Sequence, residues 1–581
     1  MLWTSFSVSL TTRPRLLPIT RVSRTQDDET VVRVLMATQP ETADMDKIWT
    51  ARAFALVTAV ISGLLAAIVP FGNDTAAHLY LTKVFSQSGY ALWDNLWYFG
   101  RYDFVGYSYT YYPLASLVGV KPPAVGGLVL VVYAIVRWAL PRNSNYEFIL
   151  ASALVSVTVS LLMLTGAYPF LLSMGLAAGA ISLYARGART GFVVMMVVAS
   201  ATSPLALAAV PFVVLYLALL RLPSGSYRAK RYRSSLDEAV AFVKDLASAI
   251  GWESLVALMA IAAVLLGVEV YLNQGGTFPY YGSDFGFAAG FCIAVLLLSR
   301  YIQSRVNAFA LRVVTVMYFA FSCVAFVVHS GLGGNVARVG EVAPTIVIAL
   351  WLRRDRKIVV PKVAVLFGVV FLGCLGWMST FVEAPLLDPT QQYLASAKNW
   401  ELLSATVHRM AAGDRVEYVD SLLHEGDYFL PAAGISIARG WFRQQDFPQN
   451  RLFYGQNLTK TEYDSWLCTN QIAMVVLPPG PYDYSSVNEA FLVTHKTNFL
   501  ILAGKLGRFE TFKVSGCPVP RAKVTIVSRN VVAVNVSAAG NYVIPVNYSR
   551  TATVSFGSLK RRRDGRIELI VPHRGLDIIT G

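Results

Sequence analysis

Charge is what this sequence has little of: 15% of its 581 residues are Asp, Glu, Lys or Arg, against the roughly 25% usual in soluble domains. Beside a hydrophobic share of 55%, that scarcity excludes water as the solvent for the whole chain. The patterns of soluble catalysis are missing as well. There is no Gly-x-Ser-x-Gly, no His-Glu-x-x-His, no Walker loop and no cysteine pair at zinc spacing, which argues against nucleotide hydrolysis as an energy source. Residues 1–45 lack the apolar core and small-residue cleavage site of a signal peptide and are expected to be disordered. Cysteine is scarce, with five residues. Cys292, Cys323 and Cys374 fall in apolar segments as small buried side chains. Cys468 and Cys517 lie near the C-terminus and would pair if that region faced an oxidising compartment.

What is present is a set of long apolar blocks between residues 51 and 380. They read as about eleven spans: Arg52–Phe71, Pro122–Leu140, Phe148–Thr165, Ala167–Ala185, Gly191–Thr202, Leu205–Leu220, Ser254–Leu272, Phe285–Ser299, Val313–His329, Val342–Leu352 and Val359–Thr380. Tyr168-Pro169 and Ser203-Pro204 sit at tight junctions where proline breaks the helical ladder, so half-length or re-entrant helices are expected there. The net charge of +15 reads as topology rather than as nucleic-acid binding. Arg137 and Arg142, Arg186 and Arg189, Arg221 through Arg233, Arg300 through Arg312 and Arg353 through Lys357 all fall in loops of one side, which the positive-inside rule makes cytoplasmic. The chain is expected to be a multi-pass plasma-membrane protein with its C-terminal region outside. The expected parts are a membrane domain over 46–380 with a large first outer loop at 72–120, an α/β domain over 381–520, and a tail over 521–581 whose short strands suggest a small β-sandwich.

The first outer loop carries the densest chemistry. Asp74 stands where a helix leaves the membrane, at the water boundary, and His78 follows four residues later on the same helical face. The alternative is structural: Asn73, Asp74 and Thr75 cap the next helix and His78 packs in an interface. The loop is longer than a connection needs and rich in aromatics, including Trp93 beside Asp94, and Trp97. Such faces bind sugar rings or anchor at headgroup level. Downstream, Arg439, Trp441, Arg443 and Asp446 combine planar donors, an aromatic ring and a carboxylate, a mixture that binds carbohydrate or lipid headgroups and also occurs in ordinary folded loops.

Gly72-Asn-Asp-Thr-Ala-Ala-His78, Trp93-Asp94, Trp97-Tyr98, Ala201-Thr-Ser-Pro-Leu-Ala206, Gly334-Asn-Val-Ala-Arg338, Ala438 through Asp446 and Val475-Val-Leu-Pro478 together resemble the GT-C class of polytopic glycosyltransferases. More closely, they resemble an actinobacterial membrane family labelled 6-pyruvoyl-tetrahydropterin synthase-related, a label that implies no pterin chemistry. The resemblance implies transfer of a sugar from a polyprenyl-phosphate carrier to a cell-envelope glycan or lipid acceptor on the outer face. Asp74 would be the general base, Arg338 the cation on the departing phosphate, and His78 a residue that orients Asp74 or binds phosphate. Many members of the class carry a second acidic residue where Asn73 stands, and Asn73 would bind a metal poorly. No cofactor and no essential metal are therefore expected. Membrane lipids and the lipid-linked sugar are the expected partners, with no nucleic acid among them. A transporter or flippase of a lipid-linked glycan, or a non-catalytic envelope scaffold, are the competing readings. Asp74 and Arg338 facing one cavity would favour the enzyme; their separation by protein mass would favour the scaffold.

Overall fold

The computed structural model describes residues 41–102, 107–141, 144–222, 244–272, 276–356, 361–381, 388–455, 457–495 and 497–581. Most of the N-terminal stretch expected to be disordered lies outside them, but a helix already starts at Glu41 and runs to Ile68.

Each apolar block is helical. Among the described residues seven helices are long and apolar enough to cross a membrane: Met45–Ile68, Pro122–Ala139, Asn145–Thr165, Tyr168–Ala185, Gly282–Tyr301, Arg305–Val327 and Pro361–Ser379. Two helix pairs broken by bends of 80° and 46° raise the number to nine if each pair is one span, against the eleven expected. Arg189–Thr202 and Ala208–Arg221 are apolar but shorter, and fall short of the roughly 20 residues a bilayer core requires. Ser203-Pro204 ends the first of these, as proline's missing donor demands.

Small residues let the helices close. A Cβ placed on Gly127 would lie 2.4 Å from the carbonyl oxygen of Leu171, and one on Gly175 would lie 2.4 Å from that of Gly127. Backbone meets backbone there, so no side chain can yield. Gly127→Ala is expected to destabilise the protein by about 1–3 kcal/mol. Gly126→Ala, which meets nothing within 4 Å, should cost nothing. Thermal melts in detergent compare the two directly, and equal melting temperatures would show that the contact does not limit packing.

One end of the bundle is basic. Lys47 donates to the Leu140 carbonyl at 3.1 Å and Arg353 to that of Ala139 at 2.6 Å. Arg137 and Arg186 both lie 4.2 Å from the Trp138 ring, and Arg354 binds Glu147 at 2.8 Å. Asp74 follows the far end of the helix that carries Lys47, whose stretch from Lys47 to Ile68 is about 32 Å at 1.5 Å per residue.

The long loop expected to lie outside is folded rather than extended. It holds the helices Thr75–Ser88 and Tyr111–Val118 and a two-stranded pairing of β1 (Trp93–Asp94) with β2 (Arg101–Tyr102). Beyond the bundle, β3 (Arg415–Tyr418), β4 (Ile472–Leu477), β5 (Leu500–Leu506) and β6 (Phe509–Val514) form one sheet in the order β3-β4-β6-β5. Its β3 and β4 are parallel and its other pairs antiparallel. The helix Lys460–Thr469 starts with a capping box of Thr459 and Glu462, and Cys468 at its end is bonded to Cys517. The tail contributes β7 (Ala522–Ser528), β8 (Val531–Val536), β9 (Gly540–Asn547), β10 (Thr553–Val554), β11 (Ser558–Arg561), β12 (Arg566–Val571) and β13 (Gly575–Thr580). They make two antiparallel sheets, β10-β13-β8-β7 and β11-β12-β9, with apolar residues alternating inward along β7 and β12 as half-buried strands require.

Residues 95–99 bind this C-terminal part to the bundle. Asn95 donates its backbone N–H to Arg529, while Leu96 and Phe99 accept from the N–H groups of Ile437 and Asn547, all at 2.7 to 2.9 Å.

Candidate functional site

Asp74 is positioned by backbone on two sides. Gly72 packs so closely on the turn at Leu164–Gly166 that a Cβ would lie 2.2 Å from the Leu164 carbonyl oxygen. The Asp74 N–H donates to Thr165 O at 3.2 Å, and Thr75 Oγ1 accepts from the Gly72 N–H at 2.8 Å and bonds Tyr168 Oη at 2.9 Å. From the opposite direction Trp441 Nε1 donates to the Asn73 carbonyl at 2.8 Å. The side chain of Asp74 makes no cap bond to the helix that follows.

Its carboxylate instead meets Arg338, 264 residues away in sequence, with Nη2 to Oδ2 at 3.2 Å. Arg338 belongs to a 3₁₀ helix, Gly333–Glu341. At three residues per turn, positions i and i+3 eclipse, so Asn335, Arg338 and Glu341 share a face. Asn335 Oδ1 accepts from Arg338 Nε at 3.1 Å and Glu341 Oε1 from Nη1 at 2.9 Å. The guanidinium also lies 5.5 Å from the Phe170 ring. Side chains of Asp74 and Arg338 are 9% and 18% exposed, so the pair is largely buried and the guanidinium is the more open of the two. Burial raises the pKa of Asp74 above the ordinary carboxylate range, a shift that Arg338 opposes. His424 and Arg443 are near enough to oppose it further.

An apolar groove of about 450 Å³ between Gly282–Leu298 and Pro361–Ser379 ends at Trp377, whose ring lies 2.6 Å from where a Cβ on Gly340 would sit. A second cavity, of about 320 Å³, is lined by Ile68 through Phe71, by residues of 391–396 and by Leu423. The two spaces adjoin the two segments that present Arg338 and Asp74.

The other expected residues fall elsewhere. His78 is fully buried in a cage of Tyr107, Tyr111, Tyr112, Tyr168 and Trp441, with ring centroids 5.1 to 6.4 Å away. Its Nδ1 bonds Tyr112 Oη at 3.1 Å. Burial, and then Arg338, lower its pKa from 6.5 to about 3, so it is a neutral ring and no phosphate cation. Below pH 6.5 the unfolded chain takes up a proton that native His78 refuses. Stability should therefore fall by about 1.4 kcal/mol per unit as pH drops from about 6.5 towards 3, and show no such term above 6.5. Melts at pH 8 and pH 5 check this: His78→Phe should lose less on acidification than wild type, and equal losses would contradict it.

Trp93, Asp94 and Trp97 were expected to face substrate, and all three are buried. Trp93 packs against the C-terminal Gly581. Asp94 accepts from Tyr80 Oη at 2.6 Å and from the Leu96 N–H at 2.9 Å. Trp97 donates to the Asp427 carbonyl at 3.0 Å. These three offer no surface to a ligand.

Arg439 and Asp446 are likewise internal, 5% and 1% exposed. Arg439 Nη2 binds Asp446 at 2.9 Å and Ser485 at 2.7 Å, and Nη1 binds Glu489 at 3.3 Å and Ser486 at 3.1 Å. Arg443 pairs with Asp483 and lies 4.7 Å from the Tyr484 ring. Of the four residues, Trp441 and Arg443 keep partial exposure.

Sequence reasoning missed Glu341 and Asn335, the partners of Arg338, although their spacing of three about it was a usable signal. It also missed Asp420, His424 and Asp427, whose ligand atoms all lie within 4.8 Å of one another.

No family model and no curated protein matches the chain, so the family resemblance rests on the short motifs alone. Among solved structures, arabinofuranosyltransferase AftD from Mycobacteria superposes with a TM-score of 0.37 and 15% identity, over 82% of this chain and 40% of that one. The chain thus spans about two fifths of the length of AftD. ArnT from Cupriavidus metallidurans, solved with undecaprenyl phosphate bound, gives 0.34 and 14%, over 81% of this chain and 98% of that one. Superposition at this level does not by itself carry a function across.

Proposed function

We propose that this protein is an integral membrane glycosyltransferase of GT-C type, moving a sugar from a polyprenyl-phosphate carrier to an envelope glycan or lipid acceptor on the outer face of the plasma membrane. The observation that carries the reading is the contact of Asp74 with Arg338, a carboxylate and a guanidinium delivered by two distant segments to one partly open place. In this reading the acceptor hydroxyl gives its proton to Asp74, its oxygen attacks the anomeric carbon, and the polyprenyl phosphate leaves with the bonding electrons. Burial supports the role of Asp74, since a carboxylate with a raised pKa is the better base. Arg338 would meet the departing phosphate with donors not spent on Asn335, Glu341 and Asp74. The groove ending at Trp377 is suited to the prenyl chain, because it is apolar and lies beside the 3₁₀ helix that holds Arg338.

Topology supports the same assignment. Lys47, Arg137, Arg353 and Arg354 share one end of the bundle, which the positive-inside rule assigns to the cytoplasm. Asp74 and the C-terminal sheets then fall outside, where the Cys468–Cys517 bond is favoured. His78, Arg439 and Asp446 hold the fold in this account, while Trp441 and Arg443 remain candidates for acceptor contact. The test is transfer of radiolabelled sugar by purified protein from a panel of polyprenyl-phosphate sugars to envelope glycan fragments. Product formed by the wild type from one donor supports the proposal. No product from any donor removes it and moves the scaffold and transporter readings ahead.

A further inference from the structure

The segment from Asp420 to Asp427, a loop that runs into the helix Glu425–Ala432, follows the carboxyl end of β3, beside the parallel strand β4, and carboxyl ends of parallel strands are where loops converge on ligands. Asp420, His424 and Asp427 all turn inward and are 6%, 5% and 2% exposed. His424 Nδ1 lies 2.5 Å from Asp420 Oδ2 and 4.0 Å from Asp427 Oδ2. The first of these contacts is a hydrogen bond, so an ion bound by the three groups would displace the proton that His424 and Asp420 share.

A second observation shows that the cluster is incomplete by itself. Asp427 Oδ2 has no hydrogen-bond partner, and neither has Asp420 Oδ1. A buried carboxylate oxygen without a donor is costly, and this one faces the imidazole across a gap too long for a hydrogen bond. Metal bonds to such ligands are about 2.0–2.2 Å, which sets neighbouring ligand atoms about 3–3.6 Å apart. The separations from His424 Nδ1, 2.5 and 4.0 Å, bracket that range, and all three ligand atoms lie within 4.8 Å of one another, so binding an ion would draw the set together.

We infer that Asp420, His424 and Asp427 form a binding site for one divalent transition-metal ion, Zn²⁺ or Mn²⁺. The mixed set selects the ion class: imidazole favours zinc and its neighbours over magnesium and calcium, while paired carboxylates admit manganese. Three protein ligands leave room for a water or an outside oxygen. Leu423, within the same loop, packs with Phe71 and Ala76, so an ion here would pin the C-terminal part onto the loop that carries Asp74. The inference does not depend on sugar transfer, and its ligands do not include Asn73.

The test uses full-length protein in detergent without a histidine tag, stripped with EDTA, desalted, and incubated with Zn²⁺ or Mn²⁺ alone before a second desalting. Elemental mass spectrometry should then find about one equivalent per chain of one of these ions, and Asp427→Asn should weaken its retention roughly tenfold or more. Bound metal should also raise the melting temperature of the wild type and not that of the variant. If Asp427→Asn does not fold, Asp420→Asn takes its place. A wild type that retains neither ion, or a folded variant that retains as much, overturns the inference.

Discussion

Asp74→Asn is expected to lower sugar transfer by about a hundredfold or more while leaving the melting temperature close to that of the wild type. The two halves of this expectation come from different bonds. Asparagine keeps an oxygen that can accept from Arg338 Nη2, and Arg338 keeps Glu341 and Asn335 in any case, so no buried charge is left without a partner. The backbone anchors at Thr165 and Trp441 do not involve the side chain. What disappears is the only part of the residue that can take a proton. The loss should therefore fall on kcat, with KM for the lipid-linked donor little changed, because an interaction made only in the transition state lowers kcat and kcat/KM together. A variant that is inactive and also unfolded would instead assign Asp74 to structure.

The second large effect concerns stability. Arg439→Met should destabilise the C-terminal part by about 3–5 kcal/mol, the cost of leaving a buried ion pair with one partner. Among the described residues Arg439 is the one cation bonded to both Asp446 and Glu489, two carboxylates that are 1% and 0% exposed. Tyr463 donates to Glu489, and Asn450 and Tyr454 to Asp446, but these neutral donors do not replace the positive charge. Limited proteolysis and thermal melts read this directly. Were Arg439 a sugar-binding residue on an open surface, the variant would melt with the wild type and lose only affinity.

The contrast between these residues shows how far the sequence could be read. Helical segments were legible because apolar runs have no other stable state in a bilayer. Their number of crossings was less so, since Arg189–Thr202 and Ala208–Arg221 are apolar in composition but short in length. Asp74 and Arg338 were each legible as unusual charges in outer loops, and the structure joins them. Trp93, Asp94, Trp97 and Arg439 misled because the same mixture of rings and charges serves a sugar on a surface or a packed junction inside, and only burial separates the two. Asp420, His424 and Asp427 escaped notice because Asp420 lies in the loop after β3 while Asp427 lies in the first turn of Glu425–Ala432. Their spacing of four and then three residues is a helical one and was a usable signal, although Asp420 itself lies ahead of the helix.

In the proposed mechanism a lipid-borne phosphate and an acceptor hydroxyl meet between Arg338 and Asp74. A structure of the protein determined by electron cryomicroscopy with a polyprenyl phosphate bound tests it most directly. The phosphate is expected within hydrogen-bonding distance of the Arg338 guanidinium, with Asp74 facing the space the sugar would fill and the prenyl chain in the groove at Trp377. A phosphate bound elsewhere, with the Asp74–Arg338 pair unchanged and covered by protein, would contradict it.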